Sequence, residues 1–83
     1  MNTLENLSLK QLQYFAAVAE YGSFRQAAFR LNITQPTLSN QVGVMERALN
    51  IQLFERTRKG INTTPQGREL LLSAQIGRAH VWT

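Results

Sequence analysis

Two closely spaced helix-start signals constrain the fold of this chain more than any other feature. Ser23 and Gln26 form a capping box, and Thr34 is an N-cap for a longer helical pattern that follows. The apolar stripe between the two signals consists of Phe24, Ala27, Ala28 and Leu31. That stripe allows a helix of only about two turns. The segment therefore predicts a short helix, a tight turn and a second helix.

The residues before this unit predict another helix. Ser8 and Gln11 form a capping box, and Gly22 stops the pattern, so the helix is expected over about Leu9–Tyr21. Its recurring apolar residues are Leu9, Leu12, Phe15, Ala16 and Ala19. They lie at helical spacing, which predicts one buried face.

The third helix, expected over about Gln35–Leu49, has one apolar side and one short polar side. The apolar side carries Leu38, Val42, Met45 and Leu49. The opposite side carries Pro36, Asn40, Gly43 and Arg47, flanked by Thr37 and Ser39. Small amide and hydroxyl side chains suit the floor of a DNA groove, and the helix dipole favours phosphate at the N-terminus. A plain solvated face is the alternative.

After Asn50 the period of the apolar residues changes, which predicts a two-stranded hairpin. Its tip carries the cations Arg56, Arg58 and Lys59, and Gly60 is available for a positive φ. Such a wing over residues 54–62 could lie along a phosphate backbone and release counterions. The alternative is a charged tip that only keeps the hairpin soluble.

Thr64 and Pro65 signal the start of a fourth helix, with Thr64 as cap and Pro65 in the first helical position. Leu70, Leu71 and Leu72 follow, and three adjacent leucines cannot all face one small core. At least one is therefore expected to meet another surface, such as a partner chain.

Length and charge narrow the class of protein. The 83 residues allow one small domain, and the chain has no cysteine for a disulfide framework or a thiolate metal site. Nine Lys and Arg against five Asp and Glu give a net charge of +4, which favours polyanionic partners, although an ordinary soluble surface is the alternative. No apolar run suits a membrane span and the N-terminus lacks a signal-peptide pattern, so a cytoplasmic protein without membrane contact is expected.

Three segments of the chain, in order, resemble one protein family. They are LKQLQYFAAVAEYGSFRQAA, ITQPTLSNQV and LNIQLFERTRKGINTTPQGREL, within about Leu7 to Leu72. They resemble the N-terminal DNA-binding domain of the LysR-type transcriptional regulators. The resemblance implies a mainly α, winged helix-turn-helix fold, with a three-helix core, a short two-stranded β wing and the start of a linker helix. It also implies that the third helix enters the major groove of double-stranded DNA and that the wing contacts the backbone.

The resemblance implies roles for individual residues. Gln35, Pro36, Ser39 and Asn40 match the positions that meet bases or neighbouring phosphates, and Thr34 and Thr37 lie beside them. Ser23 and Arg25 match the phosphate contacts of the second helix, Arg56 matches the wing arginine, and Arg58 and Lys59 assist it. Asn40 replaces the arginine that is frequent at its position. A short amide suits adenine better than guanine, so the base preference is expected to differ.

The domain boundaries follow from the same comparison. Residues 1–63 are expected to form the DNA-binding domain and residues 64–75 the start of the linker helix. The resemblance implies that this helix joins two subunits into a homodimer or tetramer and leads to a domain that senses a small-molecule effector, which is not expected within these 83 residues.

The last eight residues, IGRAHVWT, match one reading frame of a common sequencing adapter, and Gly77 lies where a helix should continue. Residues 76–83 are therefore expected to be a non-native tail in which His80 and Trp82 have no function. A frayed amphipathic tail is the alternative.

Three rival functions find less support in the sequence. A protein-interaction module would present bulky apolar anchors on the third helix, where only Val44 qualifies. An enzyme would need a catalytic cluster, a metal site or a cofactor motif, and none is expected. An RNA-binding protein would expose aromatics, whereas Phe15, Phe24 and Phe54 fall on predicted core positions.

Overall fold

The computed structural model describes the backbone of residues 7–82 and the side chains of residues 7–73. Its elements follow one another in the order expected for a winged helix-turn-helix domain. They are α1 (Leu9–Tyr21), α2 (Phe24–Leu31), α3 (Gln35–Leu49), β1 (Phe54–Thr57), β2 (Gly60–Thr63) and α4 (Pro65–Trp82). The mainly α architecture and the predicted bounds of α1 and α3 are confirmed.

The core lies where α1, α2 and α3 meet the start of β1. Its buried residues are Leu7, Phe15, Val18, Phe24, Ala27, Ala28, Leu38, Val42, Met45, Leu53 and Phe54. The two alanines are almost fully buried, which lets α2 approach its neighbours closely. The predicted core positions of the three phenylalanines are confirmed.

Three caps fix the helix starts that the sequence predicted. Ser8 and Gln11 form the complete capping box of α1. The Ser23 side chain accepts a hydrogen bond from the Gln26 amide, which is one of the two bonds of the predicted capping box, and the Thr34 side chain accepts one from Thr37. Each of these bonds satisfies a backbone N–H that a helix start leaves unpaired.

The same three helices end on residues in the left-handed region. Gly22, Asn32 and Asn50 have φ values of 63°, 60° and 56°. Glycine and asparagine tolerate this conformation, so the chain can reverse direction within one or two residues. These short connections keep α2 and α3 in the tight helix-turn-helix arrangement.

The two strands form an antiparallel hairpin that is closed by a two-residue turn. Phe54 pairs with Thr63 at the base, and Thr57 pairs with Gly60 at the tip. Gly60 has a φ of 137°, as its predicted role in the turn requires. The turn is braced by the Thr57 hydroxyl, which accepts a bond from the Lys59 amide and donates one to the Gly60 carbonyl. The predicted wing is confirmed.

Helix α4 is attached to the domain through its first turn. The hydroxyl of its N-cap, Thr64, bonds to the carbonyls of Gln52 and Leu53, and it accepts a bond of 3.0 Å from the Gly67 amide. Gly67 packs so closely on Leu53 that a Cβ atom there would overlap the Leu53 carbonyl and lie 2.9 Å from Cγ2 of Thr63. The absence of a side chain at Gly67 therefore sets how α4 leaves the domain.

Three apolar side chains depart from a simple core pattern. The prediction that Leu9 lies on the buried face of α1 is wrong: it is 63% exposed, because the helix begins there, beyond the edge of the core. Phe29 is 83% exposed. Leu72 is 53% exposed, whereas Leu70 and Leu71 pack against the core, so the three leucines do divide between the core and another side.

The backbone of α4 continues through Gly77 to Trp82. The expectation that residues 76–83 are a non-native tail without function concerns side chains outside the described residues, and it stays a prediction. In the part of the chain that the structure describes, no helix is long and apolar enough to cross a membrane.

Two glycine-to-alanine changes test the attachment of α4. Gly67→Ala should lower the free energy of unfolding by about 1–3 kcal/mol, because the new methyl group has no space against Leu53. Gly43→Ala is the matched control: its Cβ would lie 3.5 Å from the Arg47 guanidinium, and replacing glycine within a helix should stabilise by up to about 1 kcal/mol. Urea denaturation of both variants measures the difference. Equal effects would show that Gly67 is not constrained by Leu53.

Candidate nucleic-acid interface

The N-terminal turn of α3 points its polar groups away from the core. Thr34 and Thr37 are joined by two bonds, from the Thr37 amide to Thr34 Oγ1 at 3.3 Å and from Thr34 Oγ1 to Thr37 Oγ1 at 2.8 Å. Gln35 and Pro36 are exposed beside them. The first turn contains no acidic residue, so the positive end of the helix dipole is not neutralised locally. This end of α3 suits an anionic ligand.

The outward face of α3, formed by Pro36, Asn40, Gly43 and Arg47, is polar and uncovered. Pro36, Asn40 and Arg47 are exposed, and Gly43 is partly buried. Because Gly43 has no side chain, neighbouring groups can lie close to the helix backbone at this point. The exposure of these residues agrees with the predicted division of α3 into a buried and an outward side.

Arg56 of the wing lies close to the same face. Its guanidinium carbon is 5.1 Å from the centroid of the Phe24 ring, within the range of a cation–π contact. Arg56, Phe24, Ser39 and Gly43 all line a cleft of about 100 Å³ between α2, α3 and the wing. The structure thus brings the predicted wing arginine next to the predicted α3 residue Ser39.

The start of α2 contributes the residues next to Phe24. The Ser23 hydroxyl accepts a bond of 3.1 Å from the Gln26 amide, so its acceptor role is used in capping. Arg25 is exposed in the first turn of the helix. The position of Phe24 under Arg56 places this turn beside the root of the wing.

Arg58 and Lys59 occupy the turn between the two strands. Both are exposed, as are Thr57 and the neighbouring Arg56. A compact turn holds these two cations at the far end of the hairpin, whereas Arg56 lies nearer its root. The candidate residues therefore form two groups, one around the start of α3 and one along the wing.

Glu46 connects α3 to the wing, a role that the sequence analysis missed. Its Oε2 atom accepts bonds from the backbone amides of Leu53, at 2.7 Å, and Phe54, at 3.4 Å. The carboxylate therefore points toward β1, where it makes charge-assisted hydrogen bonds with two backbone amides. The only local signal was an acidic residue near the end of a helix that precedes a strand.

Other kinds of site find little support in the residues that the structure describes. No group of three or more His, Cys, Asp and Glu residues there could hold a metal ion.

Phe29 of α2 is an exposed aromatic residue that the sequence did not predict, because the apolar stripe of α2 was defined without it.

The sequence matches one family across most of its length. Residues 9–68 match the family described as "Bacterial regulatory helix-turn-helix protein, lysR family". The regulator TfdT of Cupriavidus pinatubonensis is 44% identical over 69 residues, which cover 83% of this chain and 30% of TfdT. The regulator BenM of Acinetobacter baylyi is 48% identical over 61 residues, which cover 74% of this chain and 20% of BenM. The chain thus spans less than a third of the length of these relatives, which are HTH-type transcriptional regulators.

Solved structures include two DNA complexes with the same fold. The DNA-binding domain of BenM with benA site 1 DNA superimposes with a TM-score of 0.84 at 41% identity, covering 90% of this chain and 84% of that one. The complex of the CbnR DNA-binding domain with DNA gives a TM-score of 0.79 at 37% identity, covering 89% and 91%. The winged-helix fold is confirmed by these structures.

Two substitutions of Glu46 test its link to the wing. Glu46→Ala should cost about 1–3 kcal/mol of unfolding free energy, because two backbone amides lose their acceptor. Glu46→Gln keeps an oxygen of similar reach and should cost less. Thermal unfolding measures stability, and amide hydrogen exchange at Leu53 and Phe54 reports the local effect. Unchanged exchange in the alanine variant would contradict the proposed link.

Proposed function

The chain belongs to the LysR family of bacterial helix-turn-helix regulators, and on that basis we propose that it binds double-stranded DNA in a sequence-dependent manner. Two observations support the proposal. The N-terminal turn of α3 is exposed and free of acidic residues. The Arg56 guanidinium of the wing lies over Phe24, beside the outward face of α3. Two similar domains of known structure are DNA complexes. The third helix would enter the major groove, with the wing on the flanking backbone.

Affinity and register would come from the phosphate contacts. The cations are Arg25 on α2 and Arg56, Arg58 and Lys59 on the wing, and the Ser23 hydroxyl can donate a bond while its oxygen caps α2. Each cation that neutralises a phosphate releases counterions, which strengthens binding to any sequence and makes it salt-dependent. These groups hold the domain in place but do not identify bases.

Sequence preference would come from the exposed start of α3. Gln35, Ser39 and Asn40 carry amide or hydroxyl groups that can pair with base edges, and Pro36 offers apolar contact to a thymine methyl group. Thr34 and Thr37 are bonded to each other, so we assign them mainly to holding this turn in place. The short amide of Asn40 favours adenine over guanine.

A wider role is proposed for the protein of which this domain is part. The exposed side of α4 at Leu72, together with the family membership, supports pairing of linker helices in a homodimer or tetramer. A small-molecule effector would act through a further domain, and we place the protein in the bacterial cytoplasm, where its DNA lies. Residues 64–75 would then serve as the start of the linker.

The interface can be tested by replacing one base reader. Duplexes selected from a randomised pool would first define the preferred half-site. Asn40→Ala should then weaken binding to that site by about 1–3 kcal/mol, because one amide pair with a base is lost, while binding to random duplex changes little. Fluorescence anisotropy at constant salt measures both affinities. Equal losses on the two duplexes would refute Asn40 as a base reader.

A second experiment tests the phosphate contacts of the wing. Arg56→Gln removes the charged guanidinium that lies over Phe24 but keeps a polar side chain at an exposed position, so the fold should persist. The negative slope of log affinity against log salt should become less steep by about 0.9, for one lost phosphate contact. Arg30→Gln is the matched control, since Arg30 lies at the opposite end of α2, 5.6 Å from the Tyr21 ring. If the control changes the slope as much as Arg56→Gln does, the proposed orientation of the domain on DNA is wrong.

A further inference from the structure

Arg47 lies in the last turn of α3, but its guanidinium is directed back along the helix. An ideal Cβ atom built on Gly43 would lie 3.5 Å from Nη1 of Arg47. The guanidinium therefore occupies the space beside Gly43, one turn nearer the N-terminus than its own Cα atom. An arginine whose main role is to neutralise the C-terminal end of the helix dipole would instead approach the last carbonyl groups.

Gly43 lies between Arg47 of α3 and Arg56 of the wing. On one side it lines the cleft that contains Ser39 and Arg56. On the other side it lines an open depression of about 420 Å³ that contains Arg47 and Gln52. Two guanidinium groups from different elements thus flank the one position of the outward face that has no side chain.

One acidic residue, Glu46, lies between the two arginines and cannot neutralise both of them. Glu46 precedes Arg47 and lines both depressions, but its Oε2 atom is held by the amides of Leu53 and Phe54. Arg47 itself is exposed, so its charge is available to a ligand that approaches α3. Two arginines, Arg47 and Arg56, and one carboxylate line the two depressions, so the local charge on this side of the helix is positive on balance.

From this geometry we infer that Arg47 is a further DNA-binding residue, which contacts a backbone phosphate, and that its side chain needs a small residue at position 43. The inference rests on the proposed DNA binding and adds a residue to it. A recognition helix inserts its N-terminal residues into the groove, so its later turns rise toward the phosphates at the groove edge. Arg47 lies seven residues, or about 10 Å of helix, beyond Asn40, and suits such a phosphate. A guanidinium can donate two parallel bonds to one phosphate.

The test separates a phosphate contact from a structural role. Arg47→Gln should make the negative slope of log affinity against log salt less steep by about 0.9, so that raising salt from about 50 to about 200 mM costs about 3.5-fold less affinity than in the unmodified chain. The loss should be equal on preferred and random duplex, because a phosphate carries no base identity. Arg47→Lys keeps the charge and should keep the slope. Thermal unfolding should be unchanged, since the side chain is exposed.

Gly43 is tested by a double-mutant cycle with bulky Gly43→Leu. If Gly43 acts by leaving space for Arg47, the leucine should weaken binding much less in the Arg47→Gln background than alone. An equal effect in both backgrounds would show that the leucine obstructs DNA directly and would overturn the role of Gly43.

The controls distinguish failure of this inference from failure of the proposed function. Arg56→Gln and Arg30→Gln are measured on the same duplexes. An unchanged slope for Arg47→Gln, with a less steep slope for Arg56→Gln, would overturn the assignment of Arg47 and leave DNA binding in place. If the unmodified chain does not retain either duplex at 50 mM salt, both proposals are wrong.

Discussion

The contact between Phe54 and the helical core is the interaction on which the rest of the structure depends. Its ring lies 5.3 Å from that of Phe15 on α1 and 5.9 Å from that of Phe24 on α2, and the Phe24 ring in turn supports the Arg56 guanidinium. One row of side chains thus connects the core to the outer surface. The wing is only two short strands, which are marginally stable alone, so its position relative to the helices depends on this packing.

Hydrogen bonds hold the segment just before β1 in place, in addition to the aromatic packing. The Glu46 carboxylate accepts bonds from the amides of Leu53 and Phe54, and the Thr64 hydroxyl binds the carbonyls of Gln52 and Leu53. Helix α3 and helix α4 are therefore both attached to the same few residues around Leu53. Because Leu53 is fully buried, a shift of that segment would disturb the core and both attachments together. The start of α3 and the wing are consequently held at a fixed offset.

Local sequence signals predicted the elements, but they did not predict the links between them. Ser8, Ser23 and Thr34 act within one helical turn, so their capping roles can be inferred from the neighbouring residues alone. The roles of Glu46 and Gly67 depend on residues that are distant along the chain, and no short pattern contains that information. The prediction that Leu9 is buried was wrong for a related reason, because helical spacing gives the direction of a side chain but not where the core ends. Of the candidate site, the exposure of Asn40 and the hairpin position of Arg58 and Lys59 followed from periodicity, whereas the packing of Arg56 on Phe24 required the fold.

In the proposed DNA complex, the division of charge and size over α3 would let one small helix combine affinity for DNA with selectivity among sequences. Its N-terminal turn carries short neutral groups, so close approach to base edges costs little desolvation of charge. The cations instead lie around it, on the wing and in the last turn of α3, where flexible side chains can reach phosphates without occupying the groove floor. Had a long cation stood at Asn40, selectivity and salt dependence would be coupled in one residue. With a short amide there, the proposed function assigns the two properties to different side chains, so a change in base preference at Asn40 need not alter the electrostatic attraction of the domain to DNA.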